Sequence, residues 1–343
     1  MNNAIQVTLE DLLAMRLRAA RLAQLAQRVA GSHAAVHASR FRGRGVDYAE
    51  SRAYQPGDDI RQMDWRVTAR TGRPHTKLFT EERERSVLAV LNCNPSMRFG
   101  TRVRFKSVQA ARAAALLAWA TALSGDRIGA IGYGPSLNAE VKPGGGVRGA
   151  LRCLRAFVEW DAISAQALNG SVQDPSERAE SGTRPDSTTT NRASSIRERD
   201  ILPRIPNVPL SQALQRARRL AHPGTQVILF TDGFDCDEAA EPALTMLAEH
   251  CDVAAVILSD PLEHVAPPPA RYALQGESGP VLIDFSAQQT RARWPAWFEE
   301  QRGGFLAMLK RRALNSTVLD TSAEPEAALR SLLGLDARKK KAG

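Results

Sequence analysis

Residues 86–97 read SVLAVLNCNPSM. Five apolar residues in a row, 87–91, end abruptly in the polar turn Asn92-Cys93-Asn94-Pro95-Ser96. A short continuous apolar run bounded by a turn is the pattern of a strand buried on both faces, and the rim to which it delivers its last side chains is where open α/β sheets bind ligands. The polar residues fall at alternate positions 92, 94 and 96, as in a metal-binding loop, yet none is a carboxylate.

Outward from this strand the chain alternates between strand and helix. FKSVQAARAAALLAWATALSG at 105–125 reads as a helix with Val108, Ala111, Ala115, Leu116, Trp119 and Leu123 along one side. RIGAIGYG at 127–134 is a strand whose glycines permit close packing, and LNAEVKPG at 137–144 extends the sheet as an antiparallel edge. A helix at 146–160 and another at 210–221 precede the strand QVILFTDG at 226–233. A helix at 241–250 and the strand DVAAVILSDP follow. Beyond a Pro-rich turn come short strands around 271–284, a long helix within 288–313 and a final helix near 324–334. Apolar strands separated by amphipathic helices predict an α/β fold with a doubly wound, mostly parallel sheet covered on both faces.

Four segments frame this domain, expected over residues 84–335. Leu9, Leu12, Leu13, Leu17, Leu22, Leu25 and Val29 recur at helical spacing behind Thr8-Leu9-Glu10-Asp11, so the 1–39 region holds an amphipathic helix over about 8–30. Residues 40–83, punctuated by Gly43, Gly45, Pro56-Gly57, Gly72 and Pro74, read as short strands and tight turns, a β-rich segment. Residues of about 165–200 are polar and almost devoid of large apolar side chains, which predicts a disordered surface insertion because too little burial offsets the ordering entropy. A basic tail occupies 336–343.

Composition narrows the function classes. Of 343 residues 43% are hydrophobic and 24% charged, which suits a soluble globular chain with a substantial core. The opening MNNAIQVTLEDLL lacks a secretory signal pattern, and AAALLAWATAL at 113–123 is short of the ~20 residues of a membrane helix, so a cytoplasmic protein is expected, with membrane contact only through partners. Cys93, Cys153, Cys236 and Cys251 have no paired spacing, and His33 and His37, though four apart, have no third ligand, so neither disulfides nor zinc is expected. The net charge of +9 raises nucleic acid as a partner. The basic clusters at 40–44, 216–219, 310–312 and 339–341 are scattered and lack interleaved aromatics, which favours a solvated basic surface or an acidic protein partner over specific nucleic-acid binding. No phosphate loop, G-x-S-x-G or H-E-x-x-H is present, and Gly144-Gly145-Gly146 reads as a connector.

Two strand ends face each other across such a sheet: Asn92-Cys93-Asn94-Pro95-Ser96 and Thr231-Asp232-Gly233. This arrangement resembles the von Willebrand factor A domain, in which an Asp-x-Ser-x-Ser loop, a distant Thr and a second Asp coordinate Mg²⁺. The segment GRGVDYAESRAYQPGDDIRQMDWRVTARTGRPHTKLFTEERE resembles the hallmark of the bacterial domain of unknown function 58 family, which precedes a von Willebrand A-like fold. The likeness runs from about Gly43 onward and includes Ser259-Asp260-Pro261-Leu262-Glu263. It implies association with MoxR-type AAA+ ATPases and other von Willebrand A proteins, as an adaptor or assembly factor.

The family's five ligand positions fall on Asn92, Asn94, Ser96, Val208 and Asp232, so three have changed and no metal or other cofactor is expected. Asp235, Asp237 and Glu238 either bend back toward the cleft or, the preferred reading, occupy the start of a 238–250 helix, where acidic side chains suit the dipole. Asn92 and Asn94 are then expected to hydrogen-bond the turn, stiffened by Pro95. In the hallmark segment, Pro56-Gly57 sets a turn, Asp58 or Asp59 caps a short helical turn, Arg61 pairs with Asp64, and Trp65 anchors the turn against the sheet. That is a structural brace; its functional counterpart is a partner-recognition surface of Tyr54, Asp58, Asp59, Arg61, Asp64 and Trp65. Paired-acid catalysis by the three aspartates lacks a nucleophile or oxyanion stabiliser, so the expectation is an interaction protein rather than an enzyme. The alternatives are a divalent-cation-dependent ligand-binding module and a nucleic-acid-associated basic protein.

Overall fold

The computed structural model describes residues 4–33, 47–56, 58–80, 85–170, 207–276 and 279–335. Two compact units divide the chain: 27–84 form one, and 1–26 with 85–343 form the other.

The larger unit is built on a six-stranded sheet. Its strands in chain order are β3 (Ser86–Asn92), β4 (Arg127–Gly134), β5 (Leu137–Gly145), β6 (Gln226–Thr231), β7 (Asp252–Ser259) and β10 (Asn315–Asp320). In space they run β10-β7-β6-β3-β4-β5, all parallel except β5, which pairs antiparallel with β4 at the edge. The expected α/β class and mostly parallel sheet are therefore present. Alternation of side chains across the pleat gives every central strand two apolar faces. Val87, Ala89 and Leu91 of β3 join one core with Ile228 and Phe230, while Leu88 and Val90 join the other with Val227 and Leu229.

Helices cover both faces. The first core takes α1 (Leu9–His33), α3 (Lys106–Leu123), α4 (Gly146–Gly170) and α9 (Pro325–Leu332); the second takes α5 (Leu210–Leu220), α6 (Ala240–Ala248) and α8 (Gln288–Arg311). The spacing predicts an apolar stripe along one side of α3, but its alanine-rich run is buried on nearly all sides: small side chains let the sheet, α4 and α9 approach together. Leu12, Met15, Ala19 and Leu22 of α1 are buried, Trp119 Nε1 donates to Leu12 O at 3.1 Å, and Arg112 pairs with Asp11. Asp161 holds the residues ahead of α1 by accepting from Val7 N at 2.9 Å and from Arg98 Nη1 at 3.0 Å. Gly132 allows β4 to lie against α4, where a Cβ would come 2.6 Å from Trp160. A hairpin of β8 (Arg271–Gly276) and β9 (Gly279–Asp284) and the short α7 (Pro261–His264) complete the unit.

Residues 165–170, placed in the expected insertion, continue α4, and the rest of that insertion lies in 171–206, outside the described residues, as do the 336–343 tail and the 40–44 basic cluster. The edge strand β10 carries no apolar run, and the sequence pattern does not predict it. No helix among the described residues is long and apolar enough to cross a membrane.

In the smaller unit, β1 (Asp47–Ala53) pairs antiparallel with β2 (His75–Thr80). Between them lie a 3₁₀ turn at Ile60–Gln62 and α2 (Trp65–Thr71). The segment expected to be β-rich thus carries a helix, ended by Gly72 at φ +68°.

Candidate functional site

The first connection leaves β3 toward β4 while the chain leaves β6 toward β7, in the opposite direction, so the carboxyl ends of β3 and β6 flank a topological switch point. The loops Asn92–Ser96 and Thr231–Asp235 meet there. Asn92 is buried; its Oδ1 accepts from Asn94 N at 2.8 Å and its Nδ2 donates to Thr231 Oγ1 at 3.0 Å and toward Asp232 Oδ1 at 3.5 Å. Asn94 grips the backbone of Val208 both ways, Nδ2 to the carbonyl at 3.0 Å and Oδ1 from the amide at 2.9 Å. These carboxamides cross-link the turn as a backbone pair would.

A set of charges lies in the same place: it joins Asp232 and Glu263, both in stretches singled out from the sequence, to Lys106 and Arg302, which the sequence reading missed. Lys106, the first residue of α3, is completely buried. Its ammonium lies 2.8 Å from Asp232 Oδ2 and 2.7 Å from Glu263 Oε1. Arg302, from the middle of α8, donates through Nη2 to Glu263 Oε2 at 2.5 Å and through Nε to Asp232 O at 3.1 Å. Phe234 and Phe99 close over the ammonium, with ring centroids 4.6 and 5.7 Å from Nζ. Two cations face two carboxylates, a locally neutral set. Burial disfavours the Lys106 ammonium, but Asp232 and Glu263 outweigh it and its pKa is raised.

Each member has a local reason for its place. Asp232 enters the turn at Gly233, whose φ of +81° and 2.8 Å approach of a Cβ to Phe305 require glycine. Glu263 is set by Asp260, which caps α7 at Leu262 N and also accepts from Thr101 and Thr321.

Asp235 corrects the preferred sequence reading. It is buried in the crevice rather than on the following helix, with Oδ1 taking Thr231 Oγ1 at 3.0 Å and Oδ2 taking Tyr133 OH at 2.7 Å. Burial, with the charge of Asp232 beside it, pushes its pKa up to about 7. Asp237 accepts from Ser211 N at the start of α5, and α6 begins only at Ala240, after Glu238.

Mg²⁺ does not fit this donor set. The Asn92 amide presents an N–H to the crevice, an orientation fixed by Asn94 N at its oxygen; both Asn94 groups are committed; and Asp232 already neutralises an ammonium. Among the five positions expected to correspond to metal ligands, Ser96 keeps a buried hydroxyl without a partner among the described residues, and one hydroxyl is not the set of oxygens a hard divalent cation requires. Among the described residues no three His, Cys, Asp or Glu side chains are grouped to hold a metal. The Cys93 thiol on the loop is held up to about 12 by burial and the nearby Asp161, far from a nucleophilic thiolate. The hollow beside it, between Cys93, Pro95, Gly134 and Ile163, has a volume of about 10 Å³, room for one water.

In the smaller unit the hallmark carboxylates are taken up by local contacts. Asp58 accepts from Gln55 N at 2.9 Å and pairs with Arg52 at 2.7 Å, contacts that lower its pKa. Asp59 caps the 3₁₀ turn through Arg61 N. Asp64, expected to pair with Arg61, instead accepts from Ser51 Oγ at 2.6 Å and caps α2 at Arg66 N and Val67 N, and these bonds lower its pKa. Tyr54 is half-buried and its amide donates to Pro74 O. Trp65, expected to anchor the turn against a sheet, is 66% exposed, and Arg61 is exposed as well.

The profile described as "Protein of unknown function DUF58" matches residues 50–303. Among curated proteins, the uncharacterized proteins Mb1516 of Mycobacterium bovis and Rv1480 of Mycobacterium tuberculosis are each 41% identical over 95 residues, 28% of this chain. The match spans only 30% of the length of those relatives. Among solved structures, the conserved hypothetical protein BatB from Bacteroides thetaiotaomicron aligns with a TM-score of 0.36 and 14% identity, over 73% of this chain and 97% of that one. With its profile covering most of the chain, the switch-point crevice and most of the hallmark segment included, this protein belongs to the DUF58 family of proteins of unknown function.

Proposed function

We propose that the chain is a non-catalytic, cytoplasmic interaction protein with a von Willebrand A-like fold, which works with a MoxR-type AAA+ ATPase and sibling von Willebrand A proteins in assembling other proteins. The observation that carries this reading is the Lys106–Asp232–Glu263–Arg302 set, which fills the rim of the sheet with the chain's own counter-charges. A rim used for chemistry keeps an activated nucleophile, a free acid–base pair or an open metal position. Here Asp232 and Glu263 are spent on side-chain cations beneath two phenylalanines, Asp235 is buried against the hydroxyls of Thr231 and Tyr133, and the nearby thiol is held protonated. A rigid rim of this kind suits a scaffold whose ATP chemistry belongs to a partner. The partner class follows from the family resemblance of the hallmark segment.

The test is affinity purification of the full chain from its own cells, with a slowly hydrolysed ATP analogue present to trap ATPase complexes. Mass spectrometry should recover an AAA+ ATPase together with another von Willebrand A protein. Recovery of neither overturns the reading.

A further inference from the structure

Beside these carboxylates the smaller unit exposes a face of apolar and basic side chains. Within fifteen residues, Ile60 and Trp65 are 63% and 66% exposed. Around them Arg61, Arg66, Arg70 and Arg73 are all exposed, and no carboxylate among the described residues pairs with any of them. Of the three neighbouring aspartates, Asp58 is bound to Arg52 and Gln55 N and Asp64 to Ser51 and the start of α2, while Asp59 is exposed and gives one oxygen to Arg61 N.

The separation has a cause in the sequence. N-capping requires a carboxylate to fold back onto the first turn of the helix, so the acids of PGDDIRQMDW are drawn to backbone amides. Ile60, Arg61, Trp65 and Arg66, which follow these acids, are exposed. Arg66 and Arg70 are four apart and share a face of α2, while Trp65 and Ala69 share the next. Gly72 in the left-handed conformation ends α2, and Arg73 comes next in the chain.

We propose that this face is a docking site for an acidic segment of a partner protein, with Trp65 and Ile60 as the apolar centre and Arg61, Arg66, Arg70 and Arg73 as the rim; the proposal rests on the reading of the chain as an interaction protein and specifies the chemistry of its partner. Charge complementarity selects the occupant, since four unpaired guanidiniums demand anionic groups. The mixture selects protein over other polyanions. Trp and Arg are the side chains enriched at protein–protein hot spots, and an exposed indole and an exposed isoleucine five residues apart among four exposed arginines supply both apolar and cationic groups. A surface for single-stranded nucleic acid would instead line up several aromatic platforms along a groove. A membrane-surface helix is usually longer and more apolar than the seven residues of α2.

The experiment pans a random peptide library displayed on phage against the full chain, and against its Trp65→Ser and Arg66→Glu/Arg70→Glu variants. These positions are exposed, so both variants should fold; circular dichroism checks this, and if one fails the other carries the same readout. The expected result is selection of peptides rich in Asp and Glu around a hydrophobic residue. Their binding should weaken about tenfold or more in each variant and fall with added salt. Peptides with no acidic excess, or affinities that neither variant changes, overturn the proposal. So does binding of oligothymidylate or phosphatidylserine vesicles through the same residues when no acidic peptide is selected. The affinity purification separates the two readings. An AAA+ ATPase recovered equally well by wild type and both variants overturns this surface and leaves the proposed function standing. Acidic-peptide selection without any ATPase leaves the surface standing and removes the proposed partner.

Discussion

Lys106 sits where helix electrostatics oppose it. A cation on the first residue of a helix meets the positive end of the dipole, and a fully buried ammonium loses its hydration as well. Both costs are met by contacts with Asp232 and Glu263, so the residue holds the rim only while its partners are present. Lys106→Met keeps the length of the side chain and strands two buried carboxylates beside a single remaining cation. Urea unfolding should show a loss of about 3–5 kcal/mol, the range for breaking a buried ion pair from one side. Lys106→Met/Asp232→Asn, which removes one charge of each sign, should recover a substantial part. A loss below about 1 kcal/mol for Lys106→Met would mean that the network does not hold the rim. Asp235, a few residues along the same turn, predicts a pH dependence. In the folded chain its carboxyl keeps its proton up to about pH 7, against an ordinary value of 3.8. Between those values the unfolded chain binds fewer protons than the folded one. This contribution is therefore complete below the ordinary value, falls as pH rises, and is gone above the folded value. A carboxamide in its place cannot ionise. The stability of Asp235→Asn relative to wild type should rise by a few kcal/mol between about pH 4 and about pH 8. Parallel pH profiles would remove Asp235 from the account of stability.

At the scale of elements, legibility follows burial. β3, β6 and β7 are readable because strands covered on both faces must be apolar throughout, and helices docked by one face announce it by spacing. β10 is not, because Asn315–Asp320 at the sheet edge is mostly exposed or half-buried and its pairing with β7 is made by backbone. α3 is legible as a helix but its surroundings are not, since alanine on every side looks like a weak stripe until neighbours close on it. In the crevice, the strand-end loops and the Ser259–Glu263 stretch can be located, but Lys106 and Arg302 lie on two helices far apart in the chain. The one local signal is a lysine opening an alanine-rich helix, against the dipole. Trp65 misleads because large size suggests anchoring, whereas the N-cap at Asp64 fixes α2 without it.

For the molecule as a whole, the topology gathers side chains from α3, the β6 turn, α7 and α8 to one rim, so that the charge balance there is a property of the fold. A divalent cation entering this set would meet carboxylates already neutralised by Lys106 and Arg302, and would have to displace an ammonium covered by Phe99 and Phe234. Linkage makes the consequence measurable: a ligand that binds only the folded state at a hundredfold excess over its Kd adds about 2.7 kcal/mol. For a unit of this size that corresponds to a rise in Tm of about 5–10 °C. Thermal unfolding in about 10 mM MgCl₂ or MnCl₂ should match unfolding in EDTA to within about 1 °C, below the rise of about 3–6 °C that a site of even millimolar affinity, at tenfold excess, produces. A larger rise, accompanied by saturable Mn²⁺ binding in calorimetry that Asp232→Ala abolishes, would mean that the cation outcompetes the lysine. The rim would then be a metal-gated surface rather than one closed by its own charges.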